Sequence, residues 1–198
     1  MKLNSILAAA VLATTAAGSA FADAIPYPNP GTQNPSTYTF TAASTGDLTA
    51  YFLGTGASYT ETLGLLVNGF ATVTGLNNKS TSIGASLSYG DVKAGDTLTF
   101  YIDVLTNGDK WYSNSSLNLD GANHVYSTTY TGGVAGVPTG TYVGFEDLPA
   151  DGSDFNYFDE TFVFTNVATT PAVPEPANVA LLLAGLGLMG FVARRRRG

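Results

Sequence analysis

Six carboxylates crowd one short segment of this chain. Glu146, Asp147, Asp151, Asp154, Asp159 and Glu160, with Asn156 among them, fall within fifteen residues, and no Lys, Arg or His interrupts them. Like charges held that close repel unless protons, solvent or a cation neutralise them. Oxygen donors spaced by two or three on a Gly-containing loop suit a hard cation. Ca²⁺ accepts about six to eight such oxygens in loose geometry. The spacing is not that of an EF-hand, so such a site would be of another kind. Three readings stand side by side. The seven residues form a Ca²⁺ site, or they form a solvated acidic loop in which Glu146 and Asp147 cap a turn, or two of them are catalytic acids. The last reading needs carboxylates flanking a cleft roughly 5–10 Å apart, which two acids on one loop do not establish.

Other chemistry has little to draw on. His124 is the single histidine and the chain has no Cys, so a His-rich metal site, thiol catalysis, a Cys-based zinc site and disulfides fall away. Asp120-Gly121-Ala122-Asn123-His124 reads as a turn entering a strand rather than part of a triad. Trp111 and Tyr112, with Tyr101 and Tyr126, could form a sugar-stacking surface, although aromatics of this kind also serve as core and cross-strand pairs. Gly132-Gly133-Val134-Ala135-Gly136 precedes no helix and carries no Lys, which excludes a phosphate loop.

The elements that must position the acidic segment are strands. Thr37 to Thr41 alternates polar with aromatic residues, and Leu48 to Leu53 follows a Ser-Thr-Gly-Asp turn. Leu63 to Val67, Ser82 to Tyr89, His124 to Tyr130, Thr141 to Phe145 and Thr161 to Val167 are further strand candidates. Thr97 to Val104 carries the clearest signal: Leu98, Phe100, Ile102 and Val104 share one face at period two. With about nine short strands and Gly-rich turns, the pattern predicts an all-β domain, an antiparallel β-sandwich of jelly-roll type.

The two ends read as targeting segments. Residues 1–22 have a basic n-region at Lys2, an apolar core and an Ala20-Phe21-Ala22 cleavage site, a secretory signal peptide. Residues 23–36 carry Pro26, Pro28, Pro30 and Pro35 and form an extended leader, 37–168 the sandwich, and 169–173 a linker. Within 174–198, residues 177–193 hold no charge and form a transmembrane helix. Arg194, Arg195, Arg196 and Arg197 then act as a membrane stop held on the cytoplasmic side. Between the two ends lie only three Lys and fourteen Asp or Glu, a net charge of −11. A body so acidic repels nucleic acid and anionic lipid surfaces.

Val173-Pro174-Glu175-Pro176, the short Gly-containing apolar span and the terminal arginines resemble the PEP-CTERM sorting signal. The resemblance implies that Pro174, Glu175 and Pro176 are recognised by an exosortase in the inner membrane. It further implies an exported protein of the cell surface or of an exopolysaccharide or biofilm matrix. The acidic segment is similar to that of uncharacterised extracellular β domains marked by F-E-D-L and a later D-x-D-[FY]-N-D. Phe145-Glu146-Asp147-Leu148 matches the first part. Asp154 and Asp159 fit the outer carboxylates of the second, with Asn156 where an Asp is usual. The reading is of a non-enzymatic structural or adhesive protein, rigidified by Ca²⁺. The alternative is a carbohydrate-binding module attached to exopolysaccharide.

Overall fold

A computed structural model describes residues 25–171. The signal peptide, Pro174-Glu175-Pro176, the transmembrane helix and the arginine stop read from the sequence lie outside these residues. Among the described residues no helix is long and apolar enough to cross a membrane.

Eleven strands build two antiparallel sheets packed as a sandwich. The first contains β1 (Tyr38–Ala42), β3 (Glu61–Val67), β4 (Phe70–Gly75), β6 (Thr97–Val104), β7 (Asp109–Tyr112) and β11 (Val167–Pro171). Their order is β11-β1-β6-β3-β4, with β7 also pairing β6. The second contains β2 (Gly46–Gly54), β5 (Ser86–Val92), β8 (Val125–Tyr130), β9 (Gly140–Phe145) and β10 (Glu160–Phe164), in the order β5-β2-β10-β9-β8.

Period-two alternation decides what lies between the sheets. Phe40, Leu63, Leu65, Leu98, Phe100 and Ile102 from the first sheet meet Leu48, Phe52, Val143, Phe145, Phe162 and Phe164 from the second, all buried. Phe100 stacks on Phe164 across the interface with ring centroids 3.9 Å apart. Alternation sends Leu53, Tyr142 and Val163 to the other face of the second sheet. There they form a smaller core with Tyr130 and Val137, against which Ile25 packs. The leader thus lies on the domain: Tyr27 is buried edge-on to Tyr126 and Tyr157 at centroid distances of 5.2 and 4.8 Å.

The strand count exceeds the sequence reading of about nine. β4 sits on an edge with Phe70 and Val73 exposed, so it lacks an apolar inner face to announce it. The single strand expected over Thr161 to Val167 is two strands in different sheets. Asn166 adopts a left-handed φ of 60°, and its side-chain amide donates to the carbonyl oxygens of Ser44 and Gly46. Those bonds hold the corner where the chain leaves one sheet for the other. β11 then runs to Pro171, into the stretch read as a linker.

Candidate functional site: a buried carboxylate cluster

Two glutamates occupy positions that alternation reserves for the core. On β10, Glu160 shares the inner face with Phe162 and Phe164; on β3, Glu61 shares it with Leu63 and Leu65. Each stands at the first residue of its strand, and both are fully buried at 0% exposure. Two more carboxylates join them. Asp147 lies two residues beyond Phe145, continuing the inner face of β9, and is 4% exposed. Asp159 immediately precedes β10.

The backbone around the four acids is firmly held. The Glu61 N–H donates to Asn78 Oδ1 at 2.9 Å, and Asn78 Nδ2 donates to the Tyr59 carbonyl at 2.9 Å. The Asp159 N–H reaches the Phe145 carbonyl at 3.1 Å, and Thr55 Oγ1 donates to the Asp159 carbonyl at 2.6 Å. The Asp147 N–H donates to Asp159 Oδ2 at 3.0 Å. Trp111 Nε1 donates to the Asp147 carbonyl at 2.8 Å, and its ring stacks on His124 at 3.9 Å with an interplanar angle of 11°. His124 Nδ1 in turn lies 3.2 Å from the Glu146 carbonyl, and Nε2 lies 3.0 Å from Asp120 Oδ2.

Two of the four carboxylates are not served in this way. No protein N–H or O–H donates to either side-chain oxygen of Glu61 or Glu160, and the buried Tyr89 hydroxyl has no partner either. Glu61 meets the Asp147 carboxyl group, a contact that becomes a hydrogen bond only when a proton is shared. Burial chiefly, then that contact and the charges of Glu160, Asp147 and Asp159, push Glu61 up to about 10. Burial, followed by the Asp147 and Glu146 charges, pushes Asp159 up to about 8. Burial and Asp147 hold Glu160 well above the usual carboxylate range, against a partial pull from Lys79. Lys79 is exposed, and its ammonium donates to the Ala57 carbonyl at 2.8 Å. Among the described residues no three His, Cys, Asp or Glu side chains already stand in an arrangement that could hold a metal ion.

The seven residues singled out from the sequence therefore divide. Asp147, Asp159 and Glu160 belong to the cluster. Glu146 is buried but serves as a clasp, its two carboxylate oxygens accepting from the Ser153 hydroxyl and the Tyr157 N–H. Asp154 and Asn156 bond each other, Asn156 Nδ2 donating to Asp154 Oδ2 at 2.8 Å, and Asp154 and Asp151 are exposed. Glu61 was missed. A lone acid at the head of the apolar run Glu61-Thr62-Leu63-Gly64-Leu65 was the available signal, because period two places it on the leucine face.

Two other expectations meet a definite arrangement. Trp111 offers no sugar platform: it is 4% exposed, with one face on His124 and its N–H committed to Asp147. The four aromatics expected to share a surface do not form one, since Tyr101 and Tyr112 lie on the first sheet and Tyr126 on the second. His124 does sit at the turn into β8, stacked and hydrogen-bonded as a structural residue.

The clasp yields a prediction. Glu146→Ala leaves the Tyr157 N–H without its acceptor in a segment where Tyr157 is held at a left-handed φ of 55°. Loss of two charge-assisted bonds should cost about 2–4 kcal/mol in urea unfolding. Asp151→Ala, on the exposed turn, should stay within about 0.5 kcal/mol. Equal effects would mean that the clasp holds nothing.

Comparison with known families adds one match. Residues 172–197 match the PEP-CTERM protein-sorting motif. The motif marks the chain for export and exosortase sorting to the cell surface, as read from the sequence. No curated protein matches the chain, and the family of the β-sandwich body is not identified.

Proposed function

We propose that this chain is a structural or adhesive component of the cell surface or extracellular matrix, in which the sorting tail delivers a rigid β-sandwich. The observation that carries the reading is the junction of the two parts. The sorting motif begins at residue 172, directly after β11 ends at Pro171. A folded domain abutting the processing signal is displayed as a body, without a long flexible stalk. The interior between the sheets is largely filled by apolar side chains, as a rigid displayed body requires. The Phe145-Glu146-Asp147-Leu148 resemblance supports an extracellular β domain without naming a partner.

A second reading, binding of exopolysaccharide, draws on a different surface from the one expected. A groove of about 530 Å³ is lined by Tyr38, Ser127, Thr128, Thr129, Thr141 and Thr169 among others. Hydroxyls and one aromatic ring suit a neutral glycan, and the buried Thr169 hydroxyl has no protein partner.

The test is made in the producing cells. Glu175→Ala should abolish C-terminal processing and leave the protein in the inner-membrane fraction, with loss of matrix cohesion equal to that of a deletion strain. Unchanged cohesion in both strains would reject the structural role. If the purified protein retains the cells' own exopolysaccharide and Tyr38→Ala abolishes that retention, the glycan reading replaces it.

A further inference from the structure

We propose that Glu61, Asp147, Asp159 and Glu160 form a Ca²⁺ site that ties the two sheets together at one end of the sandwich. The proposal narrows the acidic segment to three of its residues and adds one from a distant strand. It does not depend on the matrix role.

The argument starts from what cannot be left alone. An ionised carboxylate taken out of water needs several hydrogen bonds, a cation or a proton. Glu146 shows how this chain satisfies a buried acid, with a hydroxyl and a backbone N–H aimed at its two oxygens. Glu61 and Glu160 are buried more completely, yet all four of their oxygens lack a donor. The charges that act on them are those of other acids: Asp147, Glu160 and Asp159 on Glu61, and Asp147 on Glu160. Lys79, the cation that acts on Glu160, is turned to a backbone carbonyl at the surface. A divalent ion supplies what is missing at Glu61 and Glu160, with the Asp147 and Asp159 carboxylates completing the donor set.

The donor set selects the ion. Every candidate ligand is a carboxylate oxygen, the hard type, which disfavours Zn²⁺ and copper in a chain region without Cys and with its single His stacked on Trp111. Four carboxylates, some bidentate, reach the roughly six to eight oxygens that Ca²⁺ takes, whereas Mg²⁺ demands a stricter octahedron and retains water. The side chains do not yet have ligand geometry, so binding contracts the cluster. The ligands come from β3 in one sheet and from the start of β10 and its flanks in the other, so the ion bridges the sandwich.

The test uses the full chain in detergent, stripped with chelator and titrated with Ca²⁺ alone and with Mg²⁺ alone by calorimetry, with melting followed in parallel. One Ca²⁺ per chain should bind, with Mg²⁺ at least about tenfold weaker, and melting temperature should rise with Ca²⁺. Glu61→Gln should weaken Ca²⁺ binding by about tenfold or more. In chelator near pH 8 the same variant should melt at or above the unmodified chain, because Gln, unlike Glu61, need not take up a proton on folding. Asp154→Asn should bind as the unmodified chain does. The proposal is overturned if millimolar Ca²⁺ produces neither heat nor a melting shift, if Glu61→Gln keeps its affinity, or if Asp154→Asn loses it. Glu160→Gln provides a second variant with the same expected pattern should Glu61→Gln fail to accumulate.

Discussion

In chelator, raising the pH from about 5 to about 8 should strip the domain of much of its stability, contrary to the usual behaviour of carboxylates. Glu61, pushed up to about 10, and Asp159, pushed up to about 8, bind protons more tightly folded than unfolded. Glu160 shifts in the same direction. Between their unfolded values near 4 and these raised values, the folded state holds the extra protons, so stability falls as pH rises. The stabilisation is complete below about pH 4 and fades toward about 8 for Asp159 and about 10 for Glu61. Each extra proton contributes about 1.4 kcal/mol per pH unit, so two groups give a slope near 3 kcal/mol per unit. Against a total stability of roughly 5–15 kcal/mol, a fall in that direction is readily measured.

The groups facing the cluster reinforce this sign. Asp147, Glu146 and the Tyr89 hydroxyl add negative or neutral partners; the Asp147 N–H opposes them at Asp159 and Lys79 at Glu160. Asp47, Asp96 and Asp120 are held below the ordinary carboxylate range by hydrogen bonds, so their contribution is lost only in acid, outside this window. Melting temperature against pH in chelator gives the answer. A flat or rising profile between the two values would mean that the four acids are better solvated than their burial implies.

The second large effect lies in the core. Phe100→Ala should cost about 3–5 kcal/mol, the range for deleting a fully buried aromatic side chain. Phe100 lies on β6, between β3 and β1, with 0% exposure. Its ring stacks on Phe164 at 3.9 Å and meets Phe40 edge-on at 5.2 Å, so one ring joins both sheets. Neighbours fixed by ladder bonds on both sides cannot collapse into the hole, which places the cost toward the upper end. For a domain of this size the melting temperature should drop by roughly 10 °C. Phe100→Leu, which refills most of the volume, should lose less than half as much. Indistinguishable unfolding midpoints for the two variants would show that the core relaxes around the site.

Period two made the sandwich legible. Thr97 to Val104, read from four apolar residues on one face, is β6 with the same limits. The same rule failed on Thr161 to Val167, where composition continued as strand while Asn166 turned the chain into the other sheet. The acidic segment was legible as a concentration of charge, but not as a partition. Whether an acid points to solvent, into a clasp or into a cluster depends on turns that put φ above zero at Phe155 and Tyr157, and non-glycine residues do not advertise that conformation. Glu61 stands 85 residues ahead of Glu146 in the sequence, and only the packing of one sheet on the other brings β3 opposite β10. Trp111 could be read as part of a sugar-stacking surface or as a core aromatic, and it is the second: it stacks on His124 and its N–H meets the buried Asp147 carbonyl.

The pairing of β11 with β1 sets how the domain answers to force. The pairs run from Val167 opposite Ala42 to Pro171 opposite Tyr38, so tension from the sorting tail enters at the Tyr38 end of the ladder. Tension drawn across that end opens the rungs one after another, as a zipper opens, rather than shearing them together. β11 is an edge strand with one neighbour, and peeling it exposes no second rung row to share the strain. Under load the domain would yield a few residues of extra length next to its anchor while the stacked core between the sheets keeps its shape. Loaded through its C-terminal end, the domain would give way first at this edge strand.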